Sequence, residues 1–183
     1  MQTNKPQADG NDERAKQAAF WRFSLSLYGL PGVPAALLPL QDDCGADINV
    51  VLFGLWRAAQ GRALSVREFI AVDEHVREWR DSVIRPARAL RRTIKQHQAS
   101  SSEAGELYDK AKRLELQGER IQQHRMAVFD GAPGASQADV TAAALQNLKA
   151  CADMLGQTFP AASVSLLVDA MTAPALSASG EQH

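Results

Sequence analysis

Four polar residues that could bind a cation or a phosphorylated group lie within eight positions of one another: Asp42, Asp43, Asp47 and Asn49. In a continuous helix Asp43 and Asp47 would share one face, and hard divalent cations such as Mg²⁺ prefer carboxylate ligands placed in this way. Gly45 favours a different interpretation, in which one helix ends at the glycine and Asp47 caps the next helix. We expect the capping role. A metal or diphosphate site at Asp43 and Asp47 and an acidic partner surface are the alternatives.

A second candidate is a basic stripe, which we define as the five cationic residues between positions 85 and 95: Arg85, Arg88, Arg91, Arg92 and Lys95. Helical spacing puts all of these except Arg91 on one face, and no acidic residue interrupts them. Guanidinium groups bind phosphate and carboxylate through forked hydrogen bonds. The stripe therefore predicts a surface for a protein partner, with nucleic acid or a phosphorylated ligand as less favoured partners. A solvated face, or pairing with nearby acidic residues, is the structural alternative.

Other familiar chemical motifs are missing from the sequence. Cys44 and Cys151 are far apart, which indicates two reduced thiols rather than a disulfide framework or a paired metal site. The four histidines have no ligand spacing among themselves. We find no nucleophile elbow, no glycine-rich phosphate loop and no dinucleotide fingerprint. The sequence thus predicts no cofactor and favours a non-catalytic protein, while an enzyme stays open as the alternative.

Composition limits where the protein acts and what it binds. The net charge is -1 and the isoelectric point is near 6.4, so binding of nucleic acid through bulk positive charge is excluded. The first 13 residues are polar, and no run of apolar residues approaches 18. We therefore expect a cytoplasmic protein that does not insert into a membrane.

Apolar spacing and Pro/Gly punctuation predict an all-α fold that positions these residues. The segment from Ile48 to Trp56 is apolar nearly all round, which indicates the central helix of a bundle. Gly54 in its middle predicts a close helix crossing, and Pro86 predicts a bend or break near 80–85. The predicted helices are 12–29, 33–43, 47–60, 65–80, 82–97, 103–129, 136–157 and 160–171.

The second half of the chain has a different pattern. Leu107, Leu114, Ile121 and Val128 recur every seven residues, which predicts one seam of a long antiparallel hairpin formed by the helices 103–129 and 136–157. The predicted organisation is a disordered N-terminus, a helical bundle, a linker, the hairpin with a last helix, and a disordered tail. These five parts cover residues 1–11, 12–97, 98–102, 103–172 and 173–183.

The N-terminal half also carries a recognisable block of sequence. It runs from Phe20-Trp-Arg-Phe-Ser-Leu-Ser-Leu-Tyr28 through Leu40–Trp56 to Val83-Ile-Arg-Pro-Ala-Arg-Ala-Leu-Arg-Arg92. Over about residues 20–95 the chain resembles a proteobacterial family of short proteins without an assigned function. The resemblance implies a bacterial source and carries no catalytic residue.

These observations favour a small cytoplasmic bacterial protein of non-catalytic, interaction or accessory function that binds a macromolecule through the basic stripe. The alternative is a helical enzyme or ligand-binding bundle that holds a divalent cation and a phosphorylated substrate at the aspartate cluster. The two hypotheses place the site on different segments of the chain, 85–95 and 42–49. Which of the two segments contributes to a site depends on how the helices pack.

Overall fold

The structure is a computed structural model that describes residues 6–97, 99, 101–137 and 139–173. The helices are α1 (Pro6–Tyr28), α2 (Val33–Asp42), α3 (Ile48–Ala59), α4 (Val66–Trp79), α5 (Arg85–Lys95), α6 (Ser102–Ala127), α7 (Val140–Met154) and α8 (Ala161–Met171). A π-helical segment, Arg80–Ile84, joins α4 to α5. Two short strands, β1 (Arg62–Ala63) and β2 (Ala135–Ser136), pair antiparallel. The all-α prediction is confirmed.

The core is built around α3, as its apolar composition predicted. Nine of the twelve residues of α3 are buried, and the helix packs mainly against α7. Phe20 of α1 stacks on Trp56 with ring centroids 4.9 Å apart and meets Phe53 edge-on at 5.8 Å. The same hydrophobic core includes Met126 of α6 and Leu148 of α7, so it joins residues from both predicted units.

Gly54 permits the close crossing that the sequence predicted. A Cβ atom at this position would lie 2.7 Å from the Phe69 ring of α4 and 3.6 Å from Cβ of Asn147 on α7. Asn147 is buried and donates hydrogen bonds from Nδ2 to the carbonyl oxygens of Gly54 and Arg62, at 2.8 and 2.9 Å. Three elements therefore meet at one glycine because it has no side chain.

The predicted break near Pro86 is a π-turn, the name we use for residues 80–84. Pro86 has no N–H to donate to the carbonyl of Ser82, and its ring would crowd that carbonyl in a regular α-helix. The chain widens instead, and the N–H of Arg85 donates to the carbonyl of Arg80, five residues earlier. The helical path consequently continues from α4 into α5 without a loop.

The prediction that α6 and α7 pack against each other as an antiparallel hairpin is wrong. α6 packs against α5 and α1, whereas α7 packs against α3, α4 and α8. The heptad line that was expected to form the seam faces outward, with Leu107, Leu114 and Ile121 at 51%, 52% and 41% exposure. Small and polar residues of the neighbouring line, including Ala111 and Gly118, are buried instead. At Gly118 the lack of a side chain leaves room for the π-turn, because a Cβ there would lie 3.4 Å from Cγ1 of Ile84.

The antiparallel pair in the structure is α5 with the first half of α6. We call α5 and residues 102–116 the arm. α5 makes its main contacts with α6 and the π-turn rather than with the core helices. Between the two helices of the arm lie small side chains and ion pairs, and Leu90 is 52% exposed.

Some predicted boundaries shift. α1 begins at Pro6, so residues 6–11, expected to be disordered, are helical, and proline suits the first position of a helix. α7 begins at Val140 rather than 136, because the preceding residues form β2. Residues 1–5 and 174–183, and two positions of the predicted linker, lie outside the described residues.

Helix length and apolar composition together decide whether a helix can cross a membrane. In the described part of the chain, no single helix has both the length and the apolar composition to cross a membrane. The segments Gly10–Tyr28 and Val33–Asp42 meet these criteria only when taken together, across a bend of 102°.

Candidate functional site

A pocket with a volume of about 380 Å³ brings the two predicted sites together. It lies where the turn between α2 and α3 meets α4, the π-turn, α5, α6 and the end of α7. Asp47 and Asn49 come from the acidic cluster, and Arg85 and Arg88 come from the basic stripe. Residues nearly 40 positions apart in sequence therefore line one cavity.

Asp47 is the N-cap of α3, the role that the capping interpretation assigned to it. Gly45 adopts a left-handed conformation with φ of 69°, which ends α2 and turns the chain into α3. The Asp47 Oδ1 accepts a hydrogen bond from the N–H of Asn49 at 2.9 Å. Its Oδ2 accepts from Nε2 of Gln122 at 2.6 Å and from Nη1 of Arg80 at 3.3 Å. Asp47 therefore ties α3 to both α4–α5 and α6.

A chain of amides extends this link into the core. Asn49 donates from Nδ2 to Oε1 of Gln122 at 2.8 Å and accepts from Nε2 of Gln123 at 2.8 Å. All three side chains are buried. Buried amides need such partners because an unpaired polar group in the interior costs about 1–3 kcal/mol. The network fixes the direction in which Asp47 and Gln122 face the pocket.

Arg80 is the central cation of the site. Its Nη1 lies 2.5 Å from Oδ1 of Asp73, and its Nε lies 3.4 Å from Oδ1 of Asp81. Burial lowers the pKa of Arg80, but the hydrogen bonds and charges of Asp73 and Asp47 outweigh burial and raise it. Burial likewise raises the pKa of Asp73, and the bonds from Arg80 and Arg77 reverse that effect and lower it. Both groups are therefore charged at neutral pH.

The π-turn decides which side chains reach the pocket. In a regular α-helix with 3.6 residues per turn, residues eight apart such as Arg80 and Arg88 point about 80° apart. One wide turn takes up about one additional residue. The π-turn therefore rotates Arg85 and Arg88 towards the side of Arg80, and all three line the pocket.

Arg88 and Arg91 of the basic stripe are paired with acidic residues of α6. Arg88 donates from Nε to Glu115 at 2.8 Å and from Nη2 to Glu119 at 2.7 Å, and Arg91 donates to Glu115. Burial alone would raise the pKa of Glu115, but hydrogen bonds from Arg91 and Arg88 outweigh it and lower the pKa. For Glu119 burial prevails over Arg88, and the pKa is raised. This pairing is the structural alternative that the sequence left open.

The rest of the stripe faces solvent. Arg85 is 65% exposed and forms an ion pair with Asp81 at 2.9 Å. Arg92 and Lys95 are exposed farther along α5 and do not line the pocket. The structure thus divides the basic stripe into three parts. Arg88 and Arg91 are paired with α6, Arg85 lies at the pocket rim, and Arg92 and Lys95 form what we call the outer face of α5.

Apolar side chains and one thiol form the remaining wall of the pocket: Val50, Ile84, Cys151, Met154 and Leu155. Burial raises the pKa of the Cys151 thiol to about 12, so the sulfur stays protonated at neutral pH. A protonated thiol is a poor nucleophile and a poor metal ligand. This wall can contact the carbon skeleton of a ligand.

The two aspartates of the alternative metal site, Asp43 and Asp47, lie in different surroundings. Asp42 and Asp43 are exposed at the end of α2, and both oxygens of Asp47 already accept hydrogen bonds. Across the described residues, no group of three or more His, Cys, Asp or Glu side chains is arranged to hold a metal ion.

Sequence reasoning missed three residues of the site, Asp73, Arg80 and Gln122. Asp73 and Arg80 are seven apart on one helical segment, and Pro86 indicated an irregular turn nearby. Gln122 carried no signal, because an isolated glutamine on a long polar helix is ordinary. Its role depends on the packing of α6 against α3.

Comparison with known proteins gives one informative match. No curated protein and no solved structure matches the chain significantly. A family model described as "Protein of unknown function (DUF2390)" matches residues 19–126, which is more than half of the chain. The matched segment includes every charged residue of the pocket, from Asp47 to Arg88. The chain belongs to the DUF2390 family of proteins of unknown function.

Proposed function

We propose that this protein is a non-catalytic binding protein whose pocket holds the anionic group, a phosphate or a carboxylate, of a small ligand. The observation that carries the proposal is the convergence of Arg80, Arg85 and Arg88 on one cavity through the π-turn. Guanidinium groups recognise such anions through paired N–H donors. The family has no assigned activity, so the proposal depends on the geometry of the pocket.

Most of the unused hydrogen-bonding capacity in the pocket belongs to donors. A carboxylate can accept about four hydrogen bonds, and Asp47 and Asp73 each accept three among the described residues. Arg88 uses Nε and Nη2, and no bond from its Nη1 occurs among the described residues. Among the described residues, Arg85 forms one ion pair, through Nη1. A ligand that supplies acceptors therefore complements the pocket better than one that supplies donors.

The size and composition of the pocket also support binding of a small molecule. Ligand sites usually have volumes of about 300–1,000 Å³, and this pocket falls near the lower limit. Its apolar wall offers contact to carbon atoms, while the charged side orients an anionic group. The protonated Cys151 supplies no thiolate for covalent chemistry. These features favour recognition over catalysis.

Thermal unfolding with added anions tests the proposal. We expect inorganic phosphate, pyrophosphate or succinate to raise the melting temperature above that in sodium chloride of the same ionic strength. Specific binding to the native state adds about 2.7 kcal/mol of stability at a ligand concentration 100 times the dissociation constant. Isothermal titration then measures the affinity of the best anion.

Two substitutions in α5 provide a matched pair. Arg85→Gln removes a guanidinium at the pocket rim, and Arg92→Gln removes an exposed guanidinium outside the pocket. We expect Arg85→Gln to weaken anion binding at least threefold and Arg92→Gln to leave it unchanged. If no anion raises the melting temperature beyond chloride, or if both variants bind as the wild type does, the proposal is wrong.

A second candidate function uses the outer face of α5. Arg92 and Lys95 are both exposed and point about 60° apart on the helix, which gives a cationic surface on the arm. Such a surface could bind an acidic macromolecule, most simply a protein. We expect Arg92→Glu with Lys95→Glu to abolish partner capture in a pull-down while the anion affinity of the pocket stays unchanged. Retention of the partner by this variant would rule out the outer face.

The proteobacterial source and the cytoplasmic setting stay predictions. Fractionation of cells that express the protein at its native level would test the second of them.

A further inference from the structure

The three arginines of the pocket belong to a larger set of ion pairs. We call this set the ion-pair network, and among the described residues it joins these side chains: Arg77, Arg80, Arg85, Arg88, Arg91, Asp47, Asp73, Asp81, Glu115 and Glu119. Three of the arginines pair with the three aspartates, and the other two pair with the two glutamates. Each of these two groups therefore has a formal charge of zero.

The charge balance of the network bears on how an anion can bind. Every guanidinium group that lines the pocket already has a carboxylate partner. A bound anion would therefore add a negative charge for which the network holds no spare positive charge. Such an excess is unfavourable in a partly buried site, and protonation of a nearby carboxylate removes it.

Glu119 is the carboxylate of the network with the fewest partners. In the described part of the chain it accepts a single hydrogen bond, from Nη2 of Arg88 at 2.7 Å. The other four carboxylates each have at least two partners, as Glu115 does with Arg88 and Arg91. Hydrogen bonds to the charged form keep a carboxylate ionised, so Glu119 has the least support of this kind.

The surroundings of Glu119 also disfavour its negative charge. Arg88 of α5 faces it together with two negative groups, Glu115 of its own helix and Asp47 of the turn before α3. Burial raises the pKa of Glu119, Arg88 opposes this effect, and the charges of Glu115 and Asp47 add to it. The side chain is 24% exposed, so a proton can reach it from solvent.

The remaining neighbours of α6 at this level are already paired. Asp47 is bound to Arg80 of the π-turn, which also holds Asp73 of α4. On the side of α1, the ring of Trp21 lies against Arg120, the residue that follows Glu119. Glu119 is therefore the group of the network that is least able to stay charged when a further anion arrives.

We infer that the pocket takes up one proton with each anion that it binds, and that Glu119 receives this proton. The uptake depends on the anion binding proposed above and makes that binding sensitive to pH. A proton from solvent forms an O–H bond on a carboxylate oxygen of Glu119, and no other covalent bond changes. The second oxygen of the neutral acid can still accept from Arg88, whose positive charge is then left to the anion. Because a proton enters with the ligand, the affinity rises as the pH falls.

A pH electrode measures the proton uptake directly. Sulfate and butanesulfonate are suitable anions, because both keep their charge across the pH range in which carboxyl and histidine groups titrate. Each is added at matched pH to unbuffered protein, with sodium chloride of the same ionic strength as the reference. We expect the solution to become more alkaline, by up to about one proton per bound anion. Calorimetric titration at several pH values should give an affinity that falls by up to about tenfold for each unit rise in pH.

Glu119→Gln and Glu106→Gln form a matched pair. Both make the same chemical change on α6, but Glu106 is exposed and lies outside the ion-pair network. We expect Glu119→Gln to bind the anion without proton uptake, and with an affinity that does not change with pH and is about threefold or more above the wild type at neutral pH. Glu106→Gln should behave as the wild type does. Circular dichroism of both variants should give the helical spectrum of the wild type.

The possible results distinguish this proton uptake from the anion binding on which it depends. An anion that binds to the wild type and moves no proton would overturn the uptake and leave the binding function standing. Uptake that persists in Glu119→Gln would overturn the assignment to Glu119. If these anions and the phosphate, pyrophosphate and succinate named above all fail to bind, both the uptake and the binding function are wrong.

Discussion

The core around α3 and the arm are stabilised by different interactions. In the core, Phe20, Phe53 and Trp56 pack ring against ring and are almost completely buried. In the arm, ion pairs join Arg88 and Arg91 to α6, and the large apolar side chains face outward. Apolar burial is non-directional and insensitive to pH, whereas ion pairs depend on geometry, protonation and salt. The pocket lies at the boundary between these two regions.

This difference indicates which part of the molecule can respond to a ligand. Regions with few buried apolar contacts open more readily than the core and are the usual place for binding elements. The arm carries two of the three pocket arginines, Arg85 and Arg88. An anion bound there would therefore act first on the arm, and the following predictions test the contrast.

The largest expected effect is in the core. Phe53→Ala should lower the free energy of unfolding by about 3–5 kcal/mol, because it removes a buried ring and leaves a cavity. Leu90→Ala in the arm should change it by less than about 0.5 kcal/mol, since that side chain is half exposed. Chemical denaturation of both variants measures the difference. Equal losses would show that the arm is packed as firmly as the core.

A smaller effect is expected from the ion pairs of the arm. Glu115→Ala removes the shared partner of Arg88 and Arg91 and should cost about 1.5–3 kcal/mol, the usual range for hydrogen bonds to charged groups. Hydrogen exchange should accelerate in α5 more than in α3. Glu106→Ala on the exposed side of α6 is the control and should leave both measurements unchanged. Uniform acceleration throughout the chain would contradict a separate arm.

The capping role of Asp47 predicts the next effect. Asp47→Ala should lower stability by about 0.5–2 kcal/mol, because the N–H of Asn49 loses its acceptor. Asp47→Asn should cost less, since asparagine also caps helices, but it should not be neutral because Arg80 loses a charged partner. Denaturant titration of the two variants gives the order. A larger loss for asparagine than for alanine would contradict the capping role.

The smallest effect is a pH dependence of the arm. The pKa of Glu115 is lower in the folded protein than the ordinary carboxyl pKa of about 4.3. Its contribution to stability is therefore present above about pH 4.3 and is lost as the pH falls through the lowered pKa. The stability difference between wild type and Glu115→Gln should therefore shrink on acidification below about pH 4. The raised pKa of Glu119 has the opposite effect on stability, because the stability that Glu119 contributes is lost as the pH rises.

Glu119→Gln separates these two contributions. This variant lacks the gain in stability on acidification that comes from Glu119. It keeps the loss in stability on acidification that comes from Glu115. We therefore expect the variant to lack the gain in stability that the wild type shows as the pH falls from the raised pKa of Glu119 towards about 4.3, whereas below about pH 4 the two proteins should lose stability in parallel. A difference between wild type and Glu115→Gln that is constant from pH 7 to pH 3 would contradict the pairing with Arg88 and Arg91.

The sequence by itself determined the features that depend on neighbouring residues. It predicted the all-α fold, the central position of α3 and the close crossing at Gly54, because apolar period and residue size are local properties. The capping box at Ser65 and Glu68, in which the Oγ of Ser65 and the carboxylate of Glu68 each accept a backbone N–H, likewise depends on neighbouring residues. Helix caps involve residues three positions apart, so a single chain segment contains all the information.

Only the tertiary structure decided which helices pair and which side chains meet. The heptad line of α6 looked like a seam, yet the small and polar residues beside it are the buried line, and at Gly118 the π-turn packs closely. The width of the turn before Pro86 decided whether Arg80 and Arg88 share a face, and the packing of α6 brought Gln122 to Asp47. Such contacts join segments 75 residues apart, and no local pattern specifies them.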